Sequence, residues 1–124
     1  MVVEGEAITR MVVSKMLSTL GVDCDQAVDG ESALRALLDA HYDLVLMDCH
    51  LPGIDGFEAT TSHRAAIGPQ TAHDVPIVAL VADRRGADIE LCLAAGMNGH
   101  LSKPVNLKYL TEALDRWLQP LHVA

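Results

Sequence analysis

Residues 43–56 read DLVLMDCHLPGIDG, in which a short apolar run ends at Asp48 and turn-forming residues follow. Four consecutive apolar residues are typical of a strand buried on both faces, as in a parallel sheet covered by helices. The Pro-Gly and Asp-Gly pairs then predict that the chain turns away from the sheet. Because open α/β sheets bind ligands at the carboxyl ends of their strands, Asp48 is predicted to lie at the mouth of a crevice.

The rest of the chain alternates between predicted strands and predicted helices. Ile8, Val12, Met16 and Leu20 recur at helical spacing, and Val13 and Leu17 widen this apolar stripe, which predicts a first helix that closes at Gly21. Four more helices are predicted, of which the one over residues 57–67 has a poor apolar stripe. The predicted strands cover residues 2–3, 22–27, 43–48, 77–81 and 99–102. This alternation predicts βαβ units, and hence an α/β fold with a doubly wound parallel sheet.

Composition limits the class of protein. At 124 residues, of which 50% are hydrophobic, the chain is long enough for one domain with a buried core. No apolar run approaches the roughly 20 residues of a membrane span. The nine basic residues are scattered in a chain of net charge −8, which argues against direct nucleic-acid binding. Three cysteines without C-x-x-C spacing favour reduced thiols and a cytoplasmic location.

Three charged residues are predicted to converge at one edge of this sheet. Glu4, Asp48 and Lys103 each stand at or just after the end of a predicted strand, and those ends meet in a doubly wound sheet. Two neighbouring carboxylates repel, so they hold a divalent cation or one of them takes a proton. A lysine beside them can neutralise an incoming anion, which suits phosphoryl transfer.

The motifs of the chain resemble those of receiver domains of two-component signalling. LMDCHLPGIDGFEAT at residues 46–60 resembles the phosphoacceptor loop of that family, and CLAAGM at 92–97 and LSKP at 101–104 are equally typical. The resemblance extends over residues 1–124 as a single receiver domain. It implies the flavodoxin-like receiver fold, with five parallel strands in the order 2-1-3-4-5. The sequence around the fourth strand is most similar to the receivers of hybrid histidine kinases.

The resemblance implies roles for individual residues at this edge. Asp48 is the expected phosphoacceptor, which takes a phosphoryl group from a phosphohistidine on a histidine kinase or a histidine phosphotransfer domain. Mg²⁺ is expected to bind Asp48, the acidic residues after the first strand and the backbone carbonyl of His50. Lys103 is expected to pair with the phosphoryl oxygens, and the peptide bond between Lys103 and Pro104 is expected to be cis.

Three positions depart from the family pattern. The acidic pair is Glu4-Gly5, so the carboxylate that ligates the metal directly is missing, and Mg²⁺ binding is expected to be weak. Glu6 is a candidate replacement ligand, although the first turn of a helix favours an acid in any case. Val81 replaces the hydroxyl expected at the end of strand four. His100, which carries a titratable ring, replaces the aromatic switch residue of strand five.

Three functions are therefore compared. The first is a phosphorelay receiver with weakened Mg²⁺ binding and weakened switching. The second is a pseudo-receiver, a protein-docking module whose contacts do not depend on phosphorylation, which the missing carboxylate and hydroxyl favour. The third is a small metal-dependent hydrolase or metal-binding domain built from Glu4, Asp48, Cys49 and His100, which lacks any motif with metal-ligand spacing.

Other conspicuous side chains are predicted to serve the fold. His63 stands where its helix requires an apolar residue, so a partly buried, hydrogen-bonded histidine is expected there. Arg84 and Arg85 are expected at the solvated start of the fourth helix. Trp117 is expected to anchor the last helix, and Cys92 is expected to pack as a small hydrophobic residue.

Overall fold

The backbone forms one sheet of parallel strands covered by helices. The computed structural model describes residues 1–82 and 86–118, and within these ranges it contains five strands and five helices. The strands are β1 (Val2–Val3), β2 (Gln26–Ala27), β3 (Val45–Asp48), β4 (Ile77–Val81) and β5 (Gly99–Ser102). The helices are α1 (Ala7–Thr19), α2 (Gly30–Asp39), α3 (Gly56–Ala65), α4 (Ala87–Ala95) and α5 (Leu107–Trp117).

The strands are hydrogen-bonded in the order β2-β1-β3-β4-β5, and each neighbouring pair is parallel. This order confirms the predicted doubly wound α/β sheet. It places the point where the strand order reverses between β1 and β3, which is where such sheets form their ligand crevice. No helix in residues 1–82 or 86–118 is long and apolar enough to cross a membrane.

Successive residues of β3 enter two different cores. Val45 and Met47 pack with residues of α2, α3 and α4 on one face of the sheet, whereas Leu46 packs with residues of α1 and α5 on the other. All the residues of β3 and β4 are buried, because helices cover both faces. The apolar run before Asp48 is therefore a central strand, as the sequence predicted.

Strand β2 is shorter than predicted. The prediction covered residues 22–27, but the paired strand is Gln26–Ala27. Its partner β1 offers two residues for pairing, with Val2 opposite Gln26 and Val3 opposite Ala27. The ladder between these strands therefore ends after two pairs.

Helix α1 buries a narrower face than predicted. Val13 and Leu17 are buried, whereas Ile8 is 68% exposed and Val12 is 45% exposed. The helix follows the carboxyl end of β1, so its first turns lie beside the crevice edge, and it shares its face of the sheet with α5. The prediction that Ile8 and Val12 belong to the core stripe is wrong for this reason.

The remaining predictions about individual side chains have mixed outcomes. His63 is buried in α3 and its Nε2 lies 2.9 Å from the carbonyl oxygen of Ala72, so it is the hydrogen-bonded histidine that was expected. Trp117 is partly buried against the core formed by α1 and α5. Cys92 packs in the core on the other face. Arg84 and Arg85 lie outside the described residues.

Gly56 allows α3 to begin against the end of β3. A Cβ atom built on Gly56 would overlap the backbone oxygen of Asp48. The Gly56 N–H also donates to the carbonyl oxygen of Cys49 at 2.9 Å. Asp55 caps the helix by accepting a hydrogen bond from the Glu58 N–H at 2.8 Å. The Asp-Gly pair that predicted a turn thus also fixes the distance between α3 and Asp48.

We expect Gly56→Ala to destabilise the protein by about 1–3 kcal/mol, because the added methyl group meets backbone that cannot move aside cheaply. Urea denaturation measures the change in the free energy of unfolding. Gly5→Ala is the matched control, since a Cβ there meets the Cδ of Pro52 at 3.3 Å, a contact that small movements relieve. Equal unfolding midpoints for the two variants would contradict this account.

Candidate functional site

Three charged side chains meet at the carboxyl edge of the sheet. Glu4 follows β1, Asp48 ends β3 and Lys103 follows β5. The Lys103 Nζ lies 2.8 Å from Glu4 Oε1 and 3.1 Å from Asp48 Oδ1. Glu4 is 1% exposed and Asp48 is 6% exposed. The structure therefore brings together the three residues that the sequence predicted to converge.

Backbone contacts hold Glu4 in place. Its N–H donates to the carbonyl oxygen of Ala27 at 3.1 Å, and its Oε2 accepts from the N–H of Glu6 at 3.0 Å. The guanidinium of Arg10 donates to the carbonyl oxygen of Glu4 at 2.7 Å. This role of Arg10 was not predicted from the sequence, because no local pattern shows that a helix side chain folds back onto the residue that follows the preceding strand.

Backbone geometry also directs Lys103 into the crevice. Its N–H donates to the carbonyl oxygen of Val81 at 2.9 Å, which continues the pairing between β4 and β5 by one residue. The Lys103–Pro104 peptide bond is cis, as the resemblance implied. The Lys103 side chain is 23% exposed, and its ammonium group contacts both carboxylates.

The two carboxyl groups differ in their affinity for protons. Burial raises the pKa of Asp48, the neighbouring carboxyl group of Glu4 raises it further, and Lys103 offsets this only in part. Burial alone would also raise the pKa of Glu4, but hydrogen bonds from Lys103 and from the Glu6 N–H outweigh it and hold that pKa below its ordinary value. Burial alone would lower the pKa of Lys103, but its bonds to Glu4 and Asp48 outweigh this and raise it.

The donor set fits Mg²⁺ in kind but is small. Glu4, Asp48 and the backbone carbonyl of His50 supply oxygen atoms, which hard cations prefer. Gly5 supplies none, and the two carboxylates already share the ammonium group of Lys103. Glu6, the candidate replacement ligand, is exposed at the N-cap of α1, and its Oε1 accepts a hydrogen bond from the hydroxyl of Thr9.

The loop between β3 and α3 connects Asp48 to α4. The N–H of His50 donates to Asp48 Oδ1 at 3.2 Å, and the ring Nε2 of His50 lies 3.0 Å from Asp88 Oδ2 in the first turn of α4. Asp88 is 7% exposed. Asp88 was not predicted from the sequence, because its contact with His50 joins residues 38 positions apart.

The two predicted switch positions lie on the side of the sheet towards α4 and α5. Val81 is 2% exposed and packs in the core beneath α4. His100 is exposed on β5 and lines a shallow hollow together with Leu93, Tyr109 and Trp117. Val81 thus occupies the end of β4 without offering any group that could bond a phosphoryl oxygen.

The geometry does not support a hydrolase or transition-metal site. The thiol of Cys49 is buried, and its Sγ lies 3.5 Å from the Sγ of Cys92. Burial, together with the Cys92 and Asp88 side chains, raises the pKa of Cys49, which keeps the thiol protonated. Across residues 1–82 and 86–118, no group of three or more His, Cys, Asp or Glu side chains could hold a metal ion.

Comparisons with known proteins agree with this geometry. The family model described as the response regulator receiver domain matches residues 1–115. The sensor protein EvgS of Escherichia coli is 36% identical, over 93% of this chain and 9% of that protein. The receiver domain of the sensor histidine kinase PA1611 of Pseudomonas aeruginosa, solved with a magnesium ion in its active-site cleft, is 39% identical with a TM-score of 0.86 and covers 96% of this chain and 95% of that chain.

A third comparison is with a protein complex. The structure of the Saccharomyces cerevisiae histidine phosphotransfer protein Ypd1 with the receiver domain of Ssk1 matches with 27% identity and a TM-score of 0.82, over 94% of this chain and 85% of that chain. The chain spans between 9% and 15% of the length of three curated relatives, which are histidine kinases or sensor proteins. The chain belongs to the response regulator receiver domain family, and its relatives include the receivers of hybrid histidine kinases.

The opposite pKa shifts of the two carboxyl groups predict opposite effects on stability. A raised pKa means that folded Asp48 binds more protons than unfolded Asp48 above about pH 3.8, so its contribution to stability falls as the pH rises through that window. Asp48→Asn is therefore expected to raise the free energy of unfolding at pH 7, because it removes the unfavourable ionisation of a buried carboxyl group. This gain should disappear as the pH falls below the ordinary pKa.

Glu4→Gln is the matched comparison. The lowered pKa of Glu4 contributes stability that is present above about pH 4.5 and is lost as the pH falls through the folded-state value. Because the variant gives up hydrogen bonds to a charged group, we expect a loss of about 1.5–3 kcal/mol at pH 7 that shrinks in acid. Thermal denaturation from pH 3 to pH 8 measures both profiles. Two variants that shift stability in the same direction at pH 7 would contradict the assignment.

Proposed function

We propose that Asp48 of this receiver domain accepts a phosphoryl group from a phosphohistidine, with Lys103 as its cationic partner. The observation that carries the proposal is the contact of one ammonium group with two buried carboxylates at the carboxyl edge of the sheet. That arrangement supplies a nucleophile and a positive charge within a few ångströms of each other, which phosphoryl transfer requires.

Each charged group of the crevice has its own role in the transfer of the phosphoryl group. An ionised Asp48 oxygen attacks phosphorus, the bond from phosphorus to the histidine nitrogen breaks, and Asp48 carries the group as an acyl phosphate. Lys103 is close enough to turn from the Asp48 carboxylate to an oxygen of the incoming group. Mg²⁺, held by Glu4, Asp48 and the carbonyl of His50, would neutralise charge on the phosphoryl oxygens. Glu4 stays ionised and keeps Lys103 at the site.

Exposed apolar residues beside the crevice are consistent with the docking of a partner protein that has a helical surface. Ile8, Met11 and Val12 of α1 are 68%, 62% and 45% exposed, and α1 begins next to Glu4. An apolar patch of this kind next to a reactive group suits docking of the protein that carries the phosphohistidine. We propose a histidine kinase or a histidine phosphotransfer domain as that partner, and the complex of Ypd1 with the receiver of Ssk1 is a structural precedent.

Gly5 and Val81 depart from the family pattern, and these departures affect how efficiently the domain binds Mg²⁺ and switches. Two carboxylates with one lysine attract a divalent cation less strongly than three carboxylates would, so we propose weak Mg²⁺ binding. The comparisons give no support to the pseudo-receiver or to the hydrolase, and the geometry favours neither. We also propose a cytoplasmic location, where the free thiols of Cys49 and Cys92 stay reduced.

The direct test is incubation with phosphoramidate and Mg²⁺, followed by intact mass measurement. We expect a slow mass gain of one phosphoryl group in the unaltered protein and no gain in Asp48→Asn. Asp43→Asn is the matched control, because the Asp43 side chain is 73% exposed and lies away from the crevice, next to His41. Labelling that persists in Asp48→Asn would overturn the assignment of the acceptor.

The metal site is tested by Gly5→Asp. The backbone of Gly5 suits any residue, and a Cβ there meets the Cδ of Pro52 at 3.3 Å, so a small adjustment makes room for the side chain. We expect the added carboxylate to raise Mg²⁺ affinity at least about tenfold, or ~1.4 kcal/mol, in calorimetric titration. Gly5→Asn has the same shape without the charge and should change affinity little. The proposal of a weakened site fails if the unaltered protein binds Mg²⁺ as tightly as Gly5→Asp.

A further inference from the structure

Asp88 is a buried acid that the proposed chemistry does not use. It lies in the first turn of α4 and is 7% exposed. The buried acids of the crevice, Glu4 and Asp48, share Lys103, whereas the Oδ2 of Asp88 lies 3.0 Å from the Nε2 of His50. A carboxylate can only accept a hydrogen bond, so the Nε2 of His50 is the donor when Asp88 is ionised.

The surroundings of Asp88 make this hydrogen bond important. Burying a carboxylate is unfavourable unless a polar partner satisfies it. The nearby thiols of Cys49 and Cys92 provide no positive charge, and burial raises the pKa of both, with Asp88 adding to the shift. Within the described part of the chain, the imidazole of His50 is the side chain that bonds to Asp88.

The ring of His50 in turn depends on Asp88 for its position. The His50 side chain is 65% exposed, so close packing does not fix its rotamer. The ring touches the edge of Phe57 in α3, with 6.1 Å between ring centroids, and bonds to Asp88 in α4. These two contacts set the direction of the side chain that leaves the β3–α3 loop.

The backbone of the same residue contacts the phosphoacceptor. The N–H of His50 donates to Asp48 Oδ1 at 3.2 Å, and its carbonyl is a proposed Mg²⁺ ligand. One residue therefore touches Asp48 through its backbone and α4 through its ring. A change at the Asp48 carboxylate that moves the His50 N–H also disturbs the hydrogen bond to Asp88.

We propose that Asp88 is a positioning residue for the phosphoacceptor site, which acts through His50 and joins α4 to Asp48 without a hydroxyl at residue 81. The proposal rests on Asp48 being the phosphoacceptor. In this proposal the His50–Asp88 contact connects the phosphoacceptor site to α4, which Val81 cannot do. Coupling of this kind is reciprocal. Breaking the His50–Asp88 contact should therefore alter the phosphoacceptor site, and a change at Asp48 should alter the structure around Asp88 in α4.

The first experiment measures phosphorylation of Asp48 by phosphoramidate at saturating Mg²⁺. We expect Asp88→Ala to lower the rate about 2- to 30-fold, the usual range for residues that act through a neighbour. Asp88→Asn should recover most of the rate, because its amide oxygen still accepts from the Nε2 of His50. Glu90→Ala removes an exposed acid from the same turn and should leave the rate unchanged. Equal rates for Asp88→Ala and Glu90→Ala would overturn the proposal.

The second experiment needs neither metal nor phosphoryl group and compares NMR spectra of the same variants. We expect Asp88→Ala to shift the ring nitrogen signals of His50 and the amide signals of His50 and Cys49, with Asp88→Asn close to the unaltered protein. His50→Ala, a change at an exposed side chain that is compatible with folding, should shift amide signals of α4 such as Ile89. Unchanged His50 signals in folded Asp88→Ala would overturn the proposal, and so would unchanged Ile89 signals in His50→Ala, which is a test that does not need Asp88→Ala to fold. If no variant is phosphorylated but these shifts appear, the proposed function fails and the positioning contact stands.

Discussion

The site depends on the single ammonium group of Lys103, which contacts two buried carboxylates. Glu4 and Asp48 lie on neighbouring strands whose carboxyl ends the parallel sheet forces together. Without an opposite charge, two buried carboxylates at such close range would repel and one would take a proton. Lys103 contacts both carboxylates and relieves this repulsion in part, since the pKa of Glu4 is lowered while that of Asp48 stays raised. The order β2-β1-β3-β4-β5, the pairing of Lys103 with Val81 and the contacts that fix Glu4 all serve to place these three groups.

The absence of a carboxylate at residue 5 shifts the balance between stability and reactivity. Each further acid in the crevice would add repulsion in the folded protein and would also add a ligand for a cation. With Gly5, Lys103 neutralises a larger part of the negative charge by itself, so the folded state needs a cation less. Functional sites often carry features that lower the stability of the folded protein. In this crevice one such feature, the repulsion from a further carboxylate, is absent. The lowered pKa of Glu4 agrees with a crevice in which one carboxylate is well satisfied.

The sequence predicts most of the fold, because the central strands carry a strong signal. β4 and β5 begin and end where the sequence predicted, and β3 begins two residues later than predicted. The edge strand β2 was overestimated, because its length depends on how many residues its partner β1 offers. The buried face of α1 was predicted too broadly, because helical spacing alone does not tell which residues of a broad apolar helix meet the sheet. Glu4, Asp48 and Lys103 were predictable from strand ends, whereas Arg10 and Asp88 were not, because their contacts depend on tertiary packing.

The two-residue ladder between β1 and β2 has a consequence for the behaviour of the protein in concentrated solution. An exposed edge strand is a template to which a second chain can pair by backbone hydrogen bonds. Long, flat edge strands therefore promote aggregation. β2 ends the sheet on one side, and in the part of the chain that the structure describes its ladder with β1 consists of the pairs at Gln26 and Ala27. An edge strand as short as β2 offers a second chain few backbone donors and acceptors in register. The brevity of β2 therefore protects this side of the sheet against intermolecular strand addition.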